Sequence, residues 1–274
     1  MSDISLSGRV LSLLRRVGSR IVPDSGKRAI DRVRMRRFLS IIAPANVEYT
    51  RRYGLQVKRG PFAGMHYLDG VQRTSADLIS KLAGTYEAEL HPAMEEWLRD
   101  GVSLVVNVGC AEGYYAVGLA RSLPQSEVLA YDISAHARAQ CAELAEINDV
   151  AERVSIRSEC TPSTLVDLPG SNVALLCDCE GYEETLLDPD LAPTLRGWRI
   201  LVELHDFVNP LITETITKRF AASHEVELIA SFPAQTVDVP EFQFMTARQR
   251  WAALTERPVP MNWAHLRPLE PSLR

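Results

Sequence analysis

Leu104-Val105-Val106-Asn107-Val108-Gly109-Cys110-Ala111-Glu112-Gly113-Tyr114-Tyr115 is the stretch on which the fold turns. A short apolar run ends at two glycines and passes into a helical pattern over 114–123. Gly109 and Gly113 let the chain turn sharply and let a ligand approach the backbone. Downstream the alternation repeats. Strands are expected at 128–131, 154–157, 173–177 and 200–204, with helical patterns at 135–148, 161–168, 183–187 and 212–222 between and after them. Strands at 226–231 and 242–247 and a helix at 248–254 complete the pattern. Continuously apolar strands alternating with helices indicate a parallel sheet covered on both faces. The expected fold class is α/β, a doubly wound, mostly parallel seven-stranded sheet ending in an antiparallel hairpin.

Upstream, 54–68 reads as two short strands around Gly60-Pro61-Phe62-Ala63-Gly64, and 75–100 as helical. Residues 1–45 read as one or two amphipathic helices. Val10, Leu13, Leu14, Val17 and Ile21 recur at helical spacing with Arg9, Arg15, Arg16 and Arg20 between them. A second such stretch, 28–42, follows Pro23-Asp24-Ser25-Gly26. The expected organisation is a basic helical extension with a small β-hairpin over 1–75 and the α/β domain over 76–274.

Residues 1–60 hold 14 Lys/Arg against 4 Asp/Glu, a net of +10, while the whole 274-residue chain carries −5. An acidic body with a basic arm is unlike a dedicated nucleic-acid binder, whose basic residues surround the site. The arm fits either a membrane surface, since basic amphipathic helices bind anionic lipid, or packing on the domain or on a second subunit of a homo-oligomer. At 46% hydrophobic and 24% charged the composition is that of a globular chain. It contains no run of 18 apolar residues and no secretory leader pattern. Five cysteines without a paired C-x-x-C pattern argue against a disulfide framework or a zinc ribbon. A cytoplasmic location is expected.

In doubly wound sheets, ligands bind at the carboxyl ends of the strands, where the strand order reverses. Asp132 ends the second strand 23 residues after Gly109, where an acid accepts hydrogen bonds from a ribose. A pyrophosphate loop has the pattern G-x-G-x-x-G; here Gly109, Gly113 and Gly118 omit the middle glycine, and Glu112 sets a carboxylate among the phosphates. A cofactor without phosphates fits better. The competing reading is a tight strand-to-helix turn that binds nothing.

Residues 106–113 resemble the first motif of the class I S-adenosylmethionine-dependent methyltransferases, and Tyr131-Asp132-Ile133 resembles the second. The likeness spans roughly 80–247 and implies a Rossmann-like methyltransferase fold. It implies a glycine loop (Gly109, Cys110, Gly113) along the methionine part of the cofactor and Asp132 on the ribose. It also implies Glu159 near the adenine and Asn107 toward the amino group, while Tyr115, just beyond the loop, either lines the cofactor pocket or packs on the sheet. The family often has Asp or Glu at the position of Asn107. Tyr86 and Glu87, just before the first strand, either cover the cofactor or begin a helix.

Strand four ends in Cys177-Asp178-Cys179-Glu180-Gly181-Tyr182-Glu183 and strand five in Glu203-Leu204-His205-Asp206. Unpaired charge is too costly to bury, so these carboxylates must face water, a partner charge, a metal or a substrate. The pattern resembles the FkbM-type methyltransferases, which methylate hydroxyls of small molecules and glycans; they usually carry an aliphatic residue at Cys179 and a small one at Tyr182. Three readings are open. His205 or Asp178, with Glu180 beside them, takes the acceptor's proton as general base. Alternatively Asp178, His205 and Asp206 hold Mg²⁺, as in sugar O-methyltransferases of the macrocin and novobiocin type, although His205 stands where those have an acid. In the third, Glu180 or Glu183 caps the next helix.

The expected function is methyl transfer from S-adenosylmethionine to a hydroxyl of a small molecule or sugar. The alternatives are an RNA or protein methyltransferase docking through the basic arm, and a non-catalytic scaffold on the same fold.

Overall fold

The computed structural model describes residues 24–71, 75–231, 238–255 and 261–269. The amphipathic pattern over 10–21 lies outside them. Helix α1 (Asp24–Tyr53) leads into an irregular turn, then α2 (Leu78–Ala83) and α3 (His91–Asp100). The alternating part follows: β1 (Leu104–Val108), α4 (Tyr114–Ser122), β2 (Glu127–Tyr131), α5 (Ala135–Glu146), β3 (Val154–Arg157), α6 (Pro162–Val166) and β4 (Val173–Cys177). It closes with α7 (Glu183–Leu186), β5 (Arg199–Leu204), α8 (Ile212–Phe220), β6 (His224–Ala230), α9 (Ala247–Ala253) and β7 (Asn262–Pro268).

The seven strands form one sheet in the order β3-β2-β1-β4-β5-β7-β6. β1 to β5 run parallel, and β7 lies antiparallel between β5 and β6. This is the α/β, doubly wound, mostly parallel sheet expected from the sequence. The order reverses between β1 and β4, where the crevice for a ligand opens.

All five β1 side chains are buried, and they alternate between two cores. Val105 joins Ile42, Tyr49 and Trp97 on one face; Val106 joins Leu175, Trp198 and Phe220 on the other. The end of α1 therefore shares a core with the sheet. Its Tyr49 ring stands 6.3 Å from that of Phe242, and Arg52 lies 4.6 Å over Phe244. Arg51 and Arg52 are both paired with Glu48, at 2.7 and 2.5 Å, so one of the two positive charges at this end of the basic arm is offset. Among the described residues no helix is long and apolar enough to cross a membrane.

Three expectations need correction. The hairpin over 54–68 is a single antiparallel bridge, Gln56 to His66. The helix over 75–100 is broken at Gly84, in the left-handed region at φ 70°, where a side chain would meet the backbone of Arg59. The strand over 242–247 does not form. Phe242 and Met245 are buried instead, and Thr246 starts α9 through a capping box with Gln249, whose N–H donates to Thr246 Oγ at 3.2 Å. The last strand is Asn262–Pro268.

β7 carries a titratable group into the core. His265 is fully buried, and neither ring nitrogen has a hydrogen-bond partner. Burial, then the neighbouring Arg267, push its pKa down to about 4. The folded protein thus keeps His265 neutral where the unfolded chain takes up a proton, below about pH 6.5. Stability must fall as pH drops from about 6.5, and the loss levels off below about 4. His265→Leu is expected to gain about 2 kcal/mol more at pH 5 than at pH 8. Urea unfolding at the two pH values checks this; equal effects would contradict it.

Candidate functional site

The glycine loop closes the carboxyl end of β1. Gly109 has φ 77°, and a Cβ there would overlap the backbone carbonyl of Asp178. Gly113 has φ 98°, and its Cβ would stand 2.7 Å from Cys141 Sγ. Chain packing alone thus requires both glycines, whatever the loop binds. Cys110 is engaged inward: its N–H donates to Tyr131 O at 2.9 Å and its carbonyl accepts from Gly113 N at 2.8 Å. Its thiol pKa is raised by the bond to Cys141 and by burial.

Asp132 follows β2 directly and faces the loop. One oxygen accepts from Ala111 N at 3.0 Å and the other from Ser134 N at 2.7 Å, which fixes the carboxylate and leaves lone pairs on each oxygen. Arg138 donates to Asp132 O at 2.8 Å. Ala111 is itself in the left-handed region at φ 45° and exposed. Ile133 beside Asp132 is 87% exposed, and Glu159 is exposed just beyond β3. Burial, then Glu159, hold the pKa of the half-exposed Tyr182 hydroxyl above its ordinary value.

Asn107 is fully buried near the end of β1. Its Nδ2 reaches Leu176 O at 3.5 Å, and its Oδ1 has no hydrogen-bond partner. Tyr115 donates its hydroxyl to the buried Glu87, so the Tyr86-Glu87 segment is tied to the start of α4. Glu112 is not the free anion that the sequence suggests. It accepts from Tyr67 and is paired with the buried Lys81, which also binds Asp77 at 2.6 Å. Burial lowers the Lys81 pKa, but Asp77 and Glu112 outweigh it and hold the ammonium charged.

Across the crevice, the ends of β4 and β5 gather around His205, which has no exposed surface. Its Nδ1 is 2.7 Å from Glu183 Oε1. Its Nε2 is 3.4 Å from Glu203 Oε2, 3.5 Å from Asp178 Oδ1 and 3.6 Å from Glu180 Oε2. Glu183 also accepts from Cys179 N at 3.1 Å and Gly181 N at 3.2 Å, so the β4–α7 turn is built around it. Burial acts against both charges of the His205–Glu183 pair, but each partner outweighs it. The imidazole pKa stands above its ordinary value and the Glu183 carboxyl below. Glu180 is 81% exposed and Asp178 32%, so these two form the mouth. Phe207, with its ring 5.5 Å from that of His205, adds an exposed apolar edge.

The structure therefore gathers His205, Asp178 and Glu180, but not Asp206. Asp206 accepts from Thr213 N at 3.0 Å and Thr213 Oγ at 2.6 Å, at the start of α8. Magnesium favours all-oxygen sites, so a set of Asp178, His205 and Asp206 does not fit it here. Glu203 takes the place assigned to Asp206. Strand period two carries that signal, since His205, the residue just beyond β5, stands two positions from Glu203.

No protein-family model and no curated protein matches the chain. Solved structures resemble it at low identity. A SAM-dependent O-methyltransferase from Thermotoga maritima is 16% identical, with TM-score 0.44, over 64% of this chain and 63% of that one. Precorrin 8w decarboxylase from Methanobacterium thermoautotrophicum is 15% identical, with TM-score 0.44, over 64% and 87%. A geranyl diphosphate methyltransferase, in complex with GPP and sinefungin, is 13% identical, with TM-score 0.42, over 85% and 97%. Likeness at these levels says nothing of chemistry.

Proposed function

We propose that this chain is an S-adenosylmethionine-dependent methyltransferase acting on a hydroxyl of a small molecule or sugar. One observation carries the reading. The glycine loop with Asp132 borders one flank of the β1/β4 switch point, and the Asp178–Glu180–His205 cluster borders the other. A cofactor and an acceptor can therefore meet at the carboxyl edge of the sheet.

The fixed Asp132 carboxylate accepts from the ribose hydroxyls. Asn107 Oδ1, buried without a hydrogen-bond partner, supplies an acceptor for the cofactor's amino group. Tyr115 contributes its ring, since its hydroxyl is held by Glu87. Glu159 lies toward the adenine end. When bound, S-adenosylmethionine supplies an electrophilic methyl group. Asp178, part-exposed beside the buried imidazole, takes the proton of the acceptor hydroxyl, and the more exposed Glu180 orients the acceptor at the mouth. His205 lies behind them and balances their charge. Holding the acceptor oxygen in line with the methyl group supplies most of the rate. All five cysteines are unpaired, which supports a reducing compartment such as the cytoplasm.

Calorimetric titration of S-adenosylhomocysteine tests the cofactor half. Micromolar binding is expected for the wild type, weakened at least about tenfold, or about 1.4 kcal/mol, in Asp132→Ala. Absence of binding to the wild type overturns the proposal.

A further inference from the structure

The two nitrogens of His205 keep different company. Glu183 Oε1, 2.7 Å from Nδ1, already accepts two backbone N–H groups, so it is fixed as an acceptor. Nδ1 then keeps its hydrogen, and a cation that displaces the proton on Nε2 meets the lone pair of that nitrogen. A carboxylate behind one imidazole nitrogen is the arrangement that orients a histidine toward a metal on the other.

Both ring nitrogens are fully buried and neither makes a hydrogen bond of good geometry, but only Nδ1 has a carboxylate as close as 2.7 Å. Glu203 Oε2 stands 3.4 Å from it and Asp178 Oδ1 3.5 Å. One donor atom from each of Asp178, Glu203 and His205 lies within 4.8 Å of the others. The two separations from Nε2 match the edge of a tetrahedron, about 3.4 Å, when each ligand lies about 2.1 Å from a central ion.

We propose that Asp178, Glu203 and His205 Nε2 bind a divalent cation of borderline softness, of the zinc or cobalt class, with Glu183 as the positioning residue behind the imidazole. One nitrogen and two carboxylates suit such an ion better than magnesium. Three protein ligands leave a position for water or for an acceptor oxygen. The site belongs to the acceptor end of the function proposed above, but it does not depend on what occupies the glycine loop. The two readings can therefore fail separately.

Co²⁺ is the probe, added to the full chain after chelator treatment and followed by its visible absorption. The expected result is one saturable site per chain, with the band pattern of tetrahedral nitrogen and oxygen ligation and no thiolate-to-cobalt band. The second condition matters because the Cys177 and Cys179 sulfurs lie 3.5 Å apart nearby. Zn²⁺ should displace the cobalt, and Mg²⁺ should not do so at a hundredfold excess. Glu203→Gln, close in shape to the native residue, should weaken Co²⁺ at least tenfold, and Asp206→Asn should leave it within twofold. Circular dichroism of each metal-free variant establishes that it is folded, and Asp178→Asn serves as the second ligand variant if Glu203→Gln is not. No saturable site, thiolate ligation, displacement by Mg²⁺, or unchanged affinity in a folded ligand variant would each overturn the proposal.

Discussion

Gly109→Ala is expected to leave little folded protein. A Cβ at this position overlaps the carbonyl oxygen of Asp178, and neither strand end is free to move. Asp178 N donates to Val108 O at 2.9 Å, and Gly109 N to Tyr131 O at 2.9 Å. Relief requires opening the β1–β4 edge, a loss above about 4 kcal/mol where total stability is about 5–15. About 1 kcal/mol of that comes from the left-handed backbone alone. Gly54→Ala isolates this smaller part, because Gly54 has φ 74° and nothing within 4 Å of an added Cβ. Urea unfolding of both variants decides the matter. A Gly109→Ala cost within 1 kcal/mol of that of Gly54→Ala would mean that the strand ends yield.

His205→Ala is expected to cost about 3–5 kcal/mol, because it leaves Glu183 buried without its countercharge. The sign of the pH dependence follows from the same pair. In the wild type His205 holds the Glu183 carboxyl below its ordinary pKa, so the pair stabilises the fold above about pH 4.5 and the gain is lost in acid. Without the imidazole, burial acts alone and favours the protonated acid. The deficit of the variant should therefore be largest between about pH 5 and 6.5, shrink as the pH falls below about 4.5, and shrink again as the imidazole, whose pKa stands above its ordinary value, loses its proton at higher pH. Denaturation across this range measures it. A variant as stable as the wild type at about pH 6 would show that the cluster is not held together by His205.

The sheet was legible because β1 to β5 are short apolar runs closed by turn residues, the pattern that burial on both faces demands. Asp132 was legible for a similar reason, since the strand end and its spacing from Gly109 are local features. The failures are long-range or periodic. Glu112 looks like a loose anion in sequence, yet Lys81, 31 residues upstream, neutralises it, and nothing local announces that contact. Asp206 looks like the partner of His205 because it is adjacent, but it lies in the turn beyond β5 and is held by Thr213. Glu203, two residues before His205, takes that place. β7 escaped because Trp263-Ala264-His265-Leu266 carries a histidine through the core, while the aromatic run at 242–245 imitates a strand. The Thr246 capping box then turns that run into a helix start. The cost of burying unpaired charge leaves water, a partner charge, a metal or a substrate open, and for Glu183 and Glu203 the partner is His205, which stands between them.

The most direct measurement is a crystal structure of the chain with S-adenosylhomocysteine. The account predicts the ribose hydroxyls on Asp132, the amino group at Asn107, and the sulfur facing Asp178 across the β1/β4 crevice. A ligand bound away from the glycine loop, or one whose sulfur points away from the Asp178–His205 cluster, would contradict it.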